Sequence, residues 1–254
     1  MKYINFNNAG SSKPLNIVNK ENLKTQSGKS IINVLPISLA AKNKPGVMSS
    51  KNASFVIEVI RTAAIGCMDK KFAAMVTGPI SKSILNNGGY KISGHTEFLA
   101  SICKSKSIMM LMNNKLKVTL QTIHLPLKDV IKKITKKNVI EKIRIINNDM
   151  IKKFGISQPK ILICGLNPHS GEDGLLGTEE IKAIKPAVKI LNNEGIKIDG
   201  PVPADTAFIA KYIEKYDVIH TMYHDQGLPV IKYDDFSRTT NVTLGLPIIR
   251  VSVD

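Results

Sequence analysis

The chain has 254 residues, 43% hydrophobic and 22% charged, ordinary proportions for a folded globular protein that exclude a disordered, collagenous or disulfide-scaffold chain. Lys and Arg number 36 against 20 Asp and Glu, a net charge of +16. The lysines are scattered among Ile and Asn, with no long basic run and no interleaved aromatics, so the charge suits anionic small molecules rather than nucleic acid.

Cys67, Cys103 and Cys164 lie far apart without C-x-x-C spacing, which predicts free thiols in a reducing compartment. Met1 to Lys13 is polar and carries no apolar leader core, and no apolar run approaches the ~20 residues of a membrane helix. The expectation is a cytoplasmic protein with no membrane partner.

Residues 1 to about 50 are weakly patterned, with one apolar patch at Ile31 to Leu39. Helical spacing follows over Ala53 to Met68, then a short strand at Phe72 to Val76 that stops at Thr77-Gly78-Pro79, then a helix over Ile80 to Leu85. Leu116 to Ile123 reads as a strand. Two helical segments come next, the second opened by Asn138 with Glu141 three positions on and closed by Gly155. Ile143 and Met150 belong to its buried face, while Lys142, Arg144, Lys152 and Lys153 are expected in solvent. Lys160 to Cys164 is a strand, Gly165 to Gly177 a glycine-rich loop, Thr178 to about Asn193 a helix, Asp217 to Met222 a strand, and Asn241 to Val253 one or two more. This alternation predicts an α/β protein with a largely parallel sheet.

In such sheets ligands gather outside the carboxyl ends of the strands. His124, His169 and His224 each follow a predicted strand directly or within a few residues, so three imidazoles fall at one sheet edge. A lone loop histidine is usually a surface residue; three that converge suit an open catalytic divalent site, with nitrogen favouring Zn, Co or Ni, and Asp225 and Glu172 nearby as supporting groups. His220 lies inside a strand and is expected to pack there. Ser93-Gly94-His95-Thr96-Glu97 begins a helix and offers either an anion seat or a plain cap at Thr96. Arg250 in an apolar strand calls for a carboxylate or phosphate partner. Neither the G-x-G-x-x-G dinucleotide fingerprint, nor a P-loop, nor a G-x-S-x-G elbow is present.

The motifs Val76-Thr77-Gly78-Pro79, Ser93-Gly94-His95-Thr96-Glu97-Phe98, Thr122-Ile123-His124-Leu125-Pro126-Leu127, Gly165 to Glu172, Gly177-Thr178-Glu179-Glu180, Pro203-Ala204-Asp205-Thr206, Met222 to Pro229 and Asn241 to Pro247 together closely resemble the 4-hydroxythreonine-4-phosphate dehydrogenase family of vitamin B6 biosynthesis. The resemblance runs in order from about residue 46 to 254. It implies a fold like isocitrate and isopropylmalate dehydrogenase, with two α/β/α domains (1–86, of which 1–45 match weakly, and 87–254), a cleft between them, and a homodimer whose metal and substrate site lies at the subunit interface. The implied activity is oxidation and decarboxylation of 4-phosphohydroxy-L-threonine to 3-amino-2-oxopropyl phosphate with NAD (or NADP) and one divalent metal per subunit, Zn, Mg or Co, with Ni a further option. By the same resemblance His124, His169 and His224 are metal ligands shared between subunits. His95, Thr96, Lys232, Asn241 and Arg250 bind substrate, and Lys232 and Asp205 are the candidates for the base. Two family features, an opening Gly-Asp-x-x-Gly-Ile-Gly strand and loop and a segment continuing past Ser252-Val253-Asp254, have no counterpart here, so both ends are expected to be incomplete and no NAD contacts are assigned. A dehydrogenase of another phosphorylated four-carbon hydroxy acid, a non-redox metal lyase or hydrolase, and an inactive truncated product are the alternatives.

Overall fold

The computed structural model describes residues 15–19, 31–92 and 94–253. The described residues fall into two units, one comprising those up to Ala73 with Ile80–Leu99, the other Ala74–Pro79 with Ala100 onward. Met75–Thr77 joins the large sheet as a strand, and with its neighbours it falls in the second unit.

The first unit holds two short parallel strands, β1 (Leu15–Ile17) and β2 (Ile32–Val34), then helices α1 (Ala53–Met68) and α2 (Lys82–Asn87) and the start of α3 (His95–Ile102). Ser81 caps α2, its Oγ accepting from the Ile84 N–H. Ala53, Ile57, Leu85 and Ile92 form the small core here, with Val56, Ile80, Tyr90 and Phe98 packed against it.

The second unit is built on an eight-stranded sheet. Its elements are β3 (Met75–Thr77), β4 (Ile108–Met112), β5 (Lys117–Leu120), α4 (Leu127–Val130), α5 (Lys136–Phe154), β6 (Lys160–Cys164), α6 (Lys185–Asn193), β7 (Lys197–Val202), α7 (Ala210–Lys215), β8 (Val218–Thr221), α8 (His224–Asp235), β9 (Thr240–Leu244) and β10 (Arg250–Val253). The strand order is β3-β10-β9-β4-β5-β8-β6-β7. β3 with β10, β5 with β8, and β6 with both β8 and β7 pair in parallel; β10 with β9, β9 with β4 and β4 with β5 are antiparallel. The sheet is therefore mixed rather than largely parallel. The reason is local: the β4–β5 and β9–β10 connections are too short for a helical crossover and turn the chain straight back. At the first of them the Asn113 side chain accepts from the Lys115 and Leu116 N–H groups, each at 2.9 Å.

Both faces of the sheet are covered. Ile108, Met110, Ile161, Ile163, Val218 and Leu244 pack beneath α5 and α6, while Met109, Leu111, Val118, Leu120, Leu162 and Ile219 face α7, α8 and the turn before α7. Burying each such aliphatic side chain contributes about 1.5–3 kcal/mol. β4 and β7 were not anticipated. β4 reads Ile-Met-Met-Leu-Met because both of its faces are buried, a continuous apolar run with little β-branching. β7 carries Gly200-Pro201, tolerable because β7 is an edge strand.

One helix reading changes. α5 is capped by Thr135, whose Oγ1 accepts from the Asn138 N–H at 3.2 Å, and not by Asn138. Gly155 does end it, at φ 71°. The helix expected from Thr178 to about Asn193 is present, with its opening stretch, Glu180–Ile184, wound as a π-helical turn that runs into α6. Lys142, expected in solvent, is half-buried, and its ammonium donates to the Gln121 carbonyl.

Candidate active site

β5, β8 and β6 are adjacent and parallel, so the segments leaving them emerge at one edge, and these segments carry His124, His224 and His169. The rings of His124 and His224 lie 5.7 Å apart between centroids, tilted by 44°. His224 is the first residue of α8 rather than part of a loop. Its Nδ1 lies 2.5 Å from Asp225 Oδ1, which leaves Nε2 as the nitrogen available to a ligand. No measured contact joins His169 to this pair, and among the described residues no group of three or more His, Cys, Asp or Glu is close enough to hold one ion. A single chain thus brings two of the three imidazoles together, one of them oriented by a carboxylate, a donor set that fits a divalent ion of the zinc or cobalt type.

The two strand ends that carry the pair are locked to each other. Gln121 N–H donates to Thr221 O at 2.7 Å, and Met222 O accepts from both the N–H and the hydroxyl of Thr122. Beneath them His220 is fully buried, its Nδ1 2.9 Å from Thr119 Oγ1 and its Nε2 3.0 Å from Gln121 Oε1. A neutral ring donating from Nε2 and accepting at Nδ1 satisfies both. Burial, reinforced by the Lys142 charge, pushes its pKa down to about 3. Burial also lowers that of Lys142 to about 8, with Glu141 opposing.

The His169 segment has unusual geometry. His169, Ser170, Gly171, Glu172 and Asp173 all lie in the left-handed region, with φ from 42° to 79°. Four of these are not glycine, and each such residue costs on the order of 1 kcal/mol, a strain found at functional sites. The buried carboxylate of Glu180 holds the start of the segment, its Oε1 accepting from Leu166 N–H at 2.7 Å and Asn167 N–H at 2.8 Å, its Oε2 from Asn167 Nδ2 at 2.9 Å. Gly171 is required here: a Cβ would stand 2.7 Å from Glu180 Oε2.

A second set lies on β3, β10 and β9. The register pairs Arg250 with Met75 and Ser252 with both Thr77 and Asn241, so Thr77, Asn241, Thr243, Arg250 and Ser252 share one face. Arg250 begins β10 and is 3% exposed, with NH1 donating to Thr243 Oγ1 at 3.0 Å and NH2 to Thr77 Oγ1 at 2.7 Å. Among the described residues it meets no carboxylate, and its Nε and the Asn241 Oδ1 are buried without hydrogen-bond partners; burial lowers the Arg250 pKa. A buried guanidinium whose Nε–H is unspent and an unspent acceptor suit a small anion with a hydroxyl or amine. Thr77 and Thr243 were not singled out from sequence, although the alternation of polar residues along β9 and β10 carries the signal.

The other candidates are dispersed. Lys232 is on α8, with Nζ 5.6 Å from the Phe236 ring centroid. Asp205 is exposed in the turn before α7. His95 and Thr96 form the first turn of α3, so Thr96 lies inside the helix and is not its cap.

An α/β sheet with paired imidazoles at parallel strand ends and a buried guanidinium on a polar strand face presents groups suited to a small anionic ligand. The chain matches the family described as pyridoxal phosphate biosynthetic protein PdxA over residues 3–254, and it belongs to that family. The match takes in residues 3–45, which carry none of the motifs quoted above. It is 50% identical over 217 residues to the 4-hydroxythreonine-4-phosphate dehydrogenase of Pseudomonas syringae pv. tomato, covering 85% of this chain and 66% of that protein. It is 50% identical over 225 residues to the enzyme of the same name from Yersinia enterocolitica, covering 88% and 68%. The chain thus spans about two thirds of the length of these relatives. A crystal structure of a 4-hydroxythreonine-4-phosphate dehydrogenase from Burkholderia phymatum superposes with a TM-score of 0.86 at 34% identity, covering 98% of this chain and 76% of that one. Among the described residues no helix is long and apolar enough to cross a membrane.

Proposed function

We propose that this protein oxidises and decarboxylates 4-phosphohydroxy-L-threonine to 3-amino-2-oxopropyl phosphate. The observation that carries the reading is the His124–His224 pair at neighbouring parallel strand ends, in a chain whose relatives bear the dehydrogenase name. His124 and His224 hold a divalent ion, Zn, Mg or Co, with His169 as third ligand. Among the described residues one chain assembles no group of three such ligands, which supports a homodimer in which a second copy completes the set. The two-unit organisation accords with the two-domain, isocitrate dehydrogenase-like arrangement.

When bound, the ion supplies Lewis acidity at the substrate hydroxyl and the nicotinamide of NAD or NADP accepts hydride. The chain's own groups do the rest. Arg250, already oriented by two threonine hydroxyls, offers its remaining N–H donors to phosphate or carboxylate with little reorganisation. Asn241 Oδ1 accepts from a substrate donor, and Lys232, His95 and Thr96 complete the binding set. Lys232 or Asp205 takes the hydroxyl proton.

The test is NADH formation, followed by absorbance, on mixing the purified protein with 4-phosphohydroxy-L-threonine, NAD and a divalent metal. Turnover of the phosphorylated substrate without nicotinamide would replace the dehydrogenase reading with a lyase or hydrolase.

A further inference from the structure

The three histidine-bearing segments leave three different strands, and something must set the distance between them. One side chain, on α8, touches two of these segments at once. Gln226 Oε1 accepts from the Met222 N–H at 2.7 Å, and its Nε2 donates to the Gly165 carbonyl at 2.8 Å. Met222 ends the strand segment leading to His224, and its carbonyl also takes both hydrogen bonds from Thr122, just ahead of His124. Gly165 is the root of the His169 segment; its own N–H is spent on Val202 O at 2.8 Å, and the next two N–H groups go to Glu180. The approach is enforced by the following residue. A Cβ on Gly227 would stand 2.7 Å from Thr221 Oγ1 and 2.7 Å from Val118 Cγ1, so the first turn of α8 sits hard on β8 and β5.

We infer that Gln226 is a positioning residue that fixes the His169 segment relative to the His124–His224 strand ends. Its chemistry is specific: one partner is an N–H and the other a carbonyl, so the side chain must accept at one atom and donate at the other. Among side chains of this length only an uncharged amide does both. A carboxylate would set a second acceptor against the Gly165 oxygen, and a thioether would leave both backbone groups unpaired. In a two-fold pair of chains, each metal site draws on both copies, so the spacing that Gln226 sets within one chain becomes the spacing between ligands across the interface. This last step rests on the metal reading proposed above.

The experiment compares wild type, Q226E, Q226M and the benchmark H169A, all as the full chain. Hydrogen exchange by mass spectrometry on the metal-free protein reads the segment directly. Exchange over residues 165–177 should rise in Q226E and Q226M while α5 keeps wild-type protection. Titration with Co²⁺, read by its d–d absorption, should show affinity falling about 10–100-fold in both variants, with the spectrum moving toward that of H169A. Unchanged exchange over 165–177 overturns the inference. So does wild-type Co²⁺ affinity and spectrum in both variants, or exchange that rises throughout the chain in both, which would make Gln226 a general structural residue. If wild type itself takes up no Co²⁺, the metal reading falls, while raised exchange confined to 165–177 still upholds the hold of Gln226 on that segment.

Discussion

Buried between strands at the centre of the sheet, His220 gives the sharpest pH prediction. Its ring is neutral in the folded protein with a pKa near 3, because burial and the Lys142 charge both oppose protonation. In the unfolded chain it titrates near 6.5. A group whose folded pKa lies below its unfolded value leaves stability intact above the unfolded pKa and removes it as pH falls, since only the unfolded state takes up the proton. Between pH 7 and pH 5 that loss is about 2 kcal/mol, at about 1.4 kcal/mol per pKa unit once below 6.5. Lys142 titrates above this window, at about 8 when folded, so it stays charged throughout. The assay is urea unfolding of wild type and H220L at both pH values. At pH 7 the leucine variant is less stable by about 1–3 kcal/mol, because Thr119 and Gln121 lose their partner. Carboxylates common to both proteins cancel, so the wild-type advantage should shrink by about 2 kcal/mol at pH 5. A gap that moves by less than about 0.5 kcal/mol would refute a neutral buried ring.

Three further outcomes are expected. Leu162→Ala, at a fully buried site on the α7/α8 side of the sheet, should cost about 2–5 kcal/mol in denaturant unfolding. Arg250→Lys keeps the charge but loses the fork, and should weaken binding of the phosphorylated substrate by about 2–5 kcal/mol, read as KM or directly by calorimetry; an unchanged KM removes Arg250 from the substrate site. Chelation of divalent metal should abolish NADH formation and Zn or Co should restore it; full activity in chelator would dismiss the histidine metal site.

Local pattern was a good guide where one face of an element is solvated or where a strand is short and rich in isoleucine. The helix Ala53–Met68 and the strand Lys160–Cys164 are found at the limits read from sequence, and the placement of His124, His169 and His224 beyond three strands follows from those strands alone. β4 escaped because burial on both faces erases the alternation that marks a strand. Lys142 escaped because helical period alone does not say what covers a helix. It lies beside buried positions of α5, and only the approach of Gln121 turns it from a solvated lysine into a half-buried donor.

The residues themselves determined the α/β character, the strand-end histidines and the family motifs, since these depend on periods of two and 3.6 and on short contiguous runs. Tertiary structure decided the rest. Strand order made β5, β8 and β6 neighbours and so set two imidazoles side by side. Cross-strand register put Thr77, Thr243 and Arg250 on one face, and a glutamine on α8 bridged two strand ends distant in sequence. Each of these is a contact between residues far apart along the chain, and no local period encodes which strand lies beside which.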